Sequence, residues 1–150
     1  MGARPHGDVI RQNAYVAGGA IKIGDFVMLD AAGKVVVATA SSALLGVAMS
    51  YASAANVEVH VADSESQEYL VTKSSTAPST QTDYFLNYNI VATTSTTYES
   101  NHTLDSSSGA TTPSTLPLRA VAQSRAVVNP TTECVVRINN HSERPGQAGV

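Results

Sequence analysis

Apolar residues in this chain recur at every second position, and that period limits what it can fold into. In Asn56–Ala62, NVEVHVA, Val57, Val59 and Val61 fall on one face and Glu58, His60 and Ala62 on the other. This is the alternation of a half-buried strand. Upstream, DFVMLD and KVVVAT flank Ala31-Ala32-Gly33, two β-rich runs joined as a hairpin. Asp30 can bond amides two residues on, and Gly33 can take a positive φ. Ala43–Tyr51, ALLGVAMSY, is an apolar run of strand length whose Gly46 marks a bulge or a close backbone approach. Glu68–Lys73 and Asp83–Ala92 follow, the latter aromatic and β-branched. Leu116, Leu118, Ala120 and Ala122 share one face, and Cys134, Val136 and Ile138 another. About eight strands of 5–8 residues are expected, an all-β chain forming a small β-barrel or β-sandwich. Helix signals are thin: Gly46 interrupts the Ala-rich stretch, leaving room for one or two turns within 74–83.

At 150 residues the chain is expected to hold one β-domain, residues 15–140. An N-terminal arm, 1–14, and a C-terminal tail, 141–150, carry Pro and Gly and bury little, so both are expected to be flexible. Ser and Thr make up about one residue in five. They crowd into 93–115, a stretch too long for a structureless loop in a compact domain. It is expected either to wrap over a surface or to order against a partner.

Charge and composition exclude several roles. A net charge of -3 with nine Lys and Arg lacks the basic footprint of a nucleic-acid binder. No run approaches the ~18 apolar residues of a membrane span. The first twenty residues lack the apolar core of a secretory signal. One cysteine makes no disulfide framework.

No residue set announces chemistry. Asp63, Glu65 and Glu68 follow a strand, and three carboxylates suit a hard cation, but without a glycine and a regular ladder of oxygens they read as a solvated acidic turn. His6, His60, His102 and His141 are far apart, unlike zinc ligands. Cys134 sits between apolar neighbours and reads as core, with Arg137 on the opposite face. There is no nucleophile elbow, P-loop or dinucleotide fingerprint. Asn101-His102-Thr103 and Asn140-His141-Ser142 match the glycosylation sequon, as chance allows in a Ser/Thr-rich chain. No catalytic residue, metal or cofactor is assigned.

One stretch is more specific. Gly24-Asp25-Phe26-Val27, the Asp30–Gly33 turn, Gly46-Val47-Ala48 and the alternating Val57–Val61, followed by SESQEYLVTK, resemble the capsid decoration or cement proteins of tailed bacteriophages. The likeness extends over about residues 8–141, including LDSSSGATTPSTLPLRAV and VVRINNH. It implies a non-enzymatic virion protein on the capsid exterior, made in the host bacterial cytoplasm. Its partners would be the major capsid protein and two further copies in a homotrimer, with no nucleic acid and no membrane. It would bridge neighbouring capsomers. Within that reading Arg4, Ile10, Arg11, Tyr15 and Arg144 are candidate capsid contacts, because Arg pairs with carboxylates in bidentate fashion and Ile10 and Tyr15 can anchor the arm.

Two rivals stand beside it. A carbohydrate-binding or adhesin module would need exposed aromatics, with Tyr84, Phe85 and Tyr88 the candidates. A small hydrolase would need a cleft joining His60 to Asp63 or Glu65, although Glu58 and His60 share a face simply through alternation.

Overall fold

The computed structural model describes residues 2–79, 81–111, 115–123 and 133–143. These residues are all-β and sandwich-like: two five-stranded sheets and a two-stranded ribbon, not closed into a barrel.

The first sheet takes its strands from one continuous part of the chain. They are β2 (Gln12–Val16), β3 (Phe26–Leu29), β4 (Val35–Val37), β5 (Gly46–Ala48) and β6 (Glu58–Ala62), in the order β2-β6-β5-β3-β4 and antiparallel throughout. The expected hairpin is β3–β4. Asp30 Oδ1 accepts from the amides of Ala32 and Lys34, each at 2.9 Å, and Gly33 turns the chain at φ +75°. The sheet curls until Ala17, just past β2, forms a bridge with Val35 of β4. Gly46 lets β5 lie against β6: a Cβ there would stand 2.0 Å from the Ala62 carbonyl oxygen.

The second sheet is gathered from the whole chain. β1 (Arg4–Pro5), β7 (Glu68–Thr72), β8 (Asn87–Tyr88), β11 (Leu118–Gln123) and β12 (Glu133–Ile138) pair in the order β1-β7-β12-β11-β8. β9 (Ile90–Val91) and β10 (Thr103–Leu104) make the ribbon.

Adjacent residues of the curled sheet enter different cores. Phe26, Val47 and Ala62 pack toward the second sheet with Tyr69, Val71, Leu118, Cys134 and Val136. Their neighbours Val27, Ala48 and Val61 fill the inside of the curl with Ile21, Val35 and Val59. Both faces of the central strands are therefore buried, which is why β5 lies in an unbroken apolar run rather than an alternating one. Tyr69 joins the sheets: its hydroxyl donates to the Ala62 carbonyl at 2.6 Å, and its ring meets Phe26 edge-on.

Two expectations are revised. The strands are shorter and more numerous than eight. Asp83–Ala92 does not run as one strand: Phe85 takes φ +64°, and Asn89 turns its side chain back to accept from the Ile90 amide. That splits the stretch into β8 and β9, preceded by a single 3-10 turn at Gln81–Asp83. The Ser/Thr-rich stretch, over its described residues, follows the first of its two expected alternatives and wraps over the body. Hydroxyls tie it to the 74–75 segment: Ser106 Oγ accepts from the Ser75 amide and Ser74 Oγ from the Ser106 amide, while the Asp105 carboxylate caps the turn Ser106–Ser108.

Candidate functional site

The segment leading into β2 is strapped to the body. Ala3 donates to the Gly24 carbonyl and His6 to that of Glu68. Arg4 makes a bidentate pair with Glu133 at 2.8 and 3.2 Å. The Ile10 amide donates to Gln67 Oε1. The segment thus crosses from the second sheet, through β1, to the curled sheet, through β2, and the expectation of a free arm gives way over these residues to backbone pairing.

Asp63 is the clasp. It lies at the end of β6 and is 1% exposed. Arg11 Nε donates to its Oδ1 at 2.7 Å, Asn13 to Oδ2 at 2.8 Å, and the Tyr15 hydroxyl to Oδ2 in a short hydrogen bond. Arg11 also reaches Glu143 at 2.6 Å. His141 Nδ1 accepts from the Glu143 amide, so its Nε2–H donates to the Asp63 carbonyl at 3.0 Å. Burial alone would push the Asp63 carboxyl up, but the bonds from Tyr15, Arg11 and Asn13 outweigh it and hold the group below its ordinary value. Burial, with the bond to Asp63, pushes Tyr15 up to about 12. A residue read as part of a solvated acidic turn is thus a buried anion that ties the start of the domain to its end.

The other carboxylates of that turn do not converge on Asp63. Glu68 pairs with Arg137, and among the described residues no group of three His, Cys, Asp or Glu side chains is placed to hold a metal ion. The histidines are dispersed. His60 meets Glu58 on an exposed face at 3.1 Å. His102 is buried: its Nδ1 accepts from the Phe26 amide at 3.1 Å, and its Nε2 lies 3.4 Å from Asp25. Burial pulls its basicity down despite that carboxylate. Cys134 is a core thiol, pushed up to about 12 by burial. Tyr84 is half-buried, Tyr88 buried and Phe85 exposed, so these rings do not form a solvent-facing row.

Of the candidate contacts, Arg4, Arg11 and Tyr15 are engaged within the chain, whereas Ile10 is 58% exposed beside Val9 at 40%. Arg144 lies outside the described residues. Sequence reasoning missed the clasp and the His102–Asp25 pair, because their partners stand 48 to 132 positions apart. The Gly24-Asp25-Phe26-Val27 motif was the available signal. Gly24 turns at φ +90°, Asp25 closes the turn on the Lys22 amide, and Phe26 carries the amide that His102 accepts.

Residues 6–62 match the family model of phage cement proteins. The match supports a phage capsid cement family. It begins at the strap and ends with β6, so it takes in every strand of the curled sheet. A cement protein is a structural, capsid-associated component of the virion, which is consistent with a role without catalysis. No curated protein and no solved structure matches the chain.

Proposed function

We propose that this protein binds the outside of a phage head as a homotrimer and stabilises it by bridging neighbouring subunits of the major capsid protein. The observation that carries the reading is the coincidence of the cement-family match with a complete sheet that has its own core. In this proposal the strap is the adhesive element. Arg4, Arg11 and Tyr15 hold it from beneath, Val9 and Ile10 face outward, and Arg144 adds a charge near the other end of the chain. The protein is made in the host bacterial cytoplasm and joins the exterior of the finished shell.

The mechanism is mechanical. A rigid body with short edges resists unfolding and wrong pairing. An oligomer holds several contacts at high effective concentration, offsetting the cost of ordering each. An interface of standard size buries ~1,600 Å², and repeating it across the seams of a shell opposes outward pressure. Binding only the expanded shell shifts the equilibrium toward that form. The test mixes the purified protein with expanded capsids that lack it. Saturable binding and a raised disruption temperature are expected, with sedimentation of the free protein as a trimer. Absence of capsid binding refutes the reading.

A further inference from the structure

The curled sheet leaves part of its seam open. The Asp30 amide donates to the Lys34 carbonyl and the Ala38 amide to that of Phe26, so the bonded pairs of the β3–β4 ladder fall on even-numbered residues. That register turns the N–H and C=O of Val35 and Val37 away from β3. The Val35 carbonyl accepts from the Gly18 amide at 2.7 Å. At Val37 the chain that follows β2 has diverged, and the Val37 backbone takes no hydrogen bond among the described residues.

A cavity of about 260 Å³ opens there, its lining including apolar Ala20, Val37 and Ala92 and polar Lys22, Asp25 and His102. Asp25 and His102 are only 3% and 2% exposed. His102 Nδ1 accepts from the Phe26 amide, so its Nε2 carries the proton. Asp25 Oδ2 accepts from the Lys22 amide. The atoms left over, Nε2–H and Oδ1, stand 3.4 Å apart, long for an N–H···O bond. A buried donor and a buried acceptor are thus loosely matched beside open space, where such groups ordinarily find a partner. A hydroxyl both accepts and donates at one atom, so one placed in the cavity can take the Nε2 proton and give its own to Oδ1.

An aromatic pair adjoins the cavity. Tyr98, close along the chain to the lining residues, is 68% exposed. Its ring meets Tyr51 edge-on at 4.8 Å, and Lys22 Nζ sits 5.2 Å from the Tyr51 centroid. Lys22 therefore links the cavity to two tyrosines other than Tyr84 and Tyr88. The lining sets one cation against one anion, so its charge favours neither sign of ligand.

We infer that this cavity binds a neutral sugar, one pyranose ring of a glycan, with a hydroxyl between His102 and Asp25 and C–H groups against Ala20, Val37 and Ala92. Size argues for a single ring, since sites for drug-sized ligands run roughly 300–1,000 Å³. Chemistry argues for a sugar, which combines apolar C–H faces with hydroxyls that both donate and accept. Tyr98 offers an aromatic surface to the next ring of the glycan. The inference goes beyond the capsid reading and does not depend on it.

The experiment screens the full-length protein against an array of neutral and acidic glycans. Free galactose, mannose, N-acetylglucosamine and rhamnose are then titrated while amide NMR shifts are followed. Binding of neutral glycans is expected, with shifts gathered on the amides of Lys22, Phe26, Val37, Thr93 and Thr94. Ala92→Trp fills the cavity from an exposed position and should weaken binding by about tenfold or more. Tyr98→Ala should weaken glycan binding by about threefold. Circular dichroism and the melting temperature check that both variants fold; should Ala92→Trp not fold, Thr94→Trp replaces it. Binding of no glycan, binding of acidic glycans alone, shifts gathered away from the cavity, or full affinity in the filled variant overturns the inference. So do the same shifts produced by a capped Ala-Thr-Ala-Thr peptide without glycan binding, which would make the open edge at Val37 a strand-addition site. None of these outcomes bears on binding to capsids.

Discussion

The two sheets use the chain in opposite ways. The curled sheet draws five strands from residues 12–62 and packs apolar side chains on both faces of its central strands. The second sheet draws strands from residue 4 to residue 138, buries one face in the shared core and sets Arg4, Glu68, Arg119, Glu133 and Arg137 on the other. The first is specified by neighbours in sequence and lies within the stretch that matches the phage cement model. The second depends on long-range closure. The difference shows how a locally specified sheet and one closed by distant segments can share a core in a chain of this size.

Phe26→Ala tests whether the halves are one cooperative unit. Phe26 is fully buried and meets both Tyr69 and His102, so its loss should cost about 4 kcal/mol in chemical denaturation. Both sheets should lose hydrogen-exchange protection together. Protection kept in the curled sheet alone would divide the molecule in two. Gly46→Ala probes the close approach of β5 to β6 and should cost about 3 kcal/mol, because the obstacle is backbone. Gly19→Ala, where a Cβ meets nothing within 4 Å, should change stability by less than about 0.5 kcal/mol.

Asp63→Asn strikes the clasp and should cost about 2 kcal/mol near neutral pH, as charge-assisted bonds from Arg11, Asn13 and Tyr15 weaken. Because the folded carboxyl lies below its ordinary value, its contribution is complete above the unfolded value of about 3.9. It is lost as the pH falls through the folded one. Below pH 4 the variant should therefore lose stability less steeply than wild type in acid titration. His102 behaves differently. Its folded basicity is lowered, so its contribution is complete above about 6.5 and falls away as acid charges the unfolded imidazole. Thermal melts of His102→Asn between pH 7 and 5 should show a smaller decline than wild type. Arg137→Ala, at an exposed position paired with Glu68, should alter stability by less than about 0.5 kcal/mol. A larger effect in chemical denaturation would make the Arg137–Glu68 pair a determinant of the fold.

Much of the curled sheet was readable because its determinants are local. The Asp30–Gly33 hairpin, the Gly46 close approach and the Val59/Val61 face each follow from a few consecutive residues. The break at Phe85 was not readable, since an aromatic residue in the left-handed region contradicts its own propensity and is imposed by Ala120, 35 positions away. Asp63 was misread for a similar reason. A carboxylate beside a turn is ordinarily solvated, and only tertiary structure brings Arg11, Asn13, Tyr15 and His141 around it.

Taken alone, the residue pattern determined the all-β class, the hairpin turns and the apolar faces, because period and turn chemistry act over a few positions. Tertiary structure decided how the strands divide into two sheets and stop short of a closed barrel. It also decided how the N-terminal strap is held and which charges stand together on the outer face. Those outcomes depend on pairings across tens of residues, and alternation gives each strand a face without naming its neighbour.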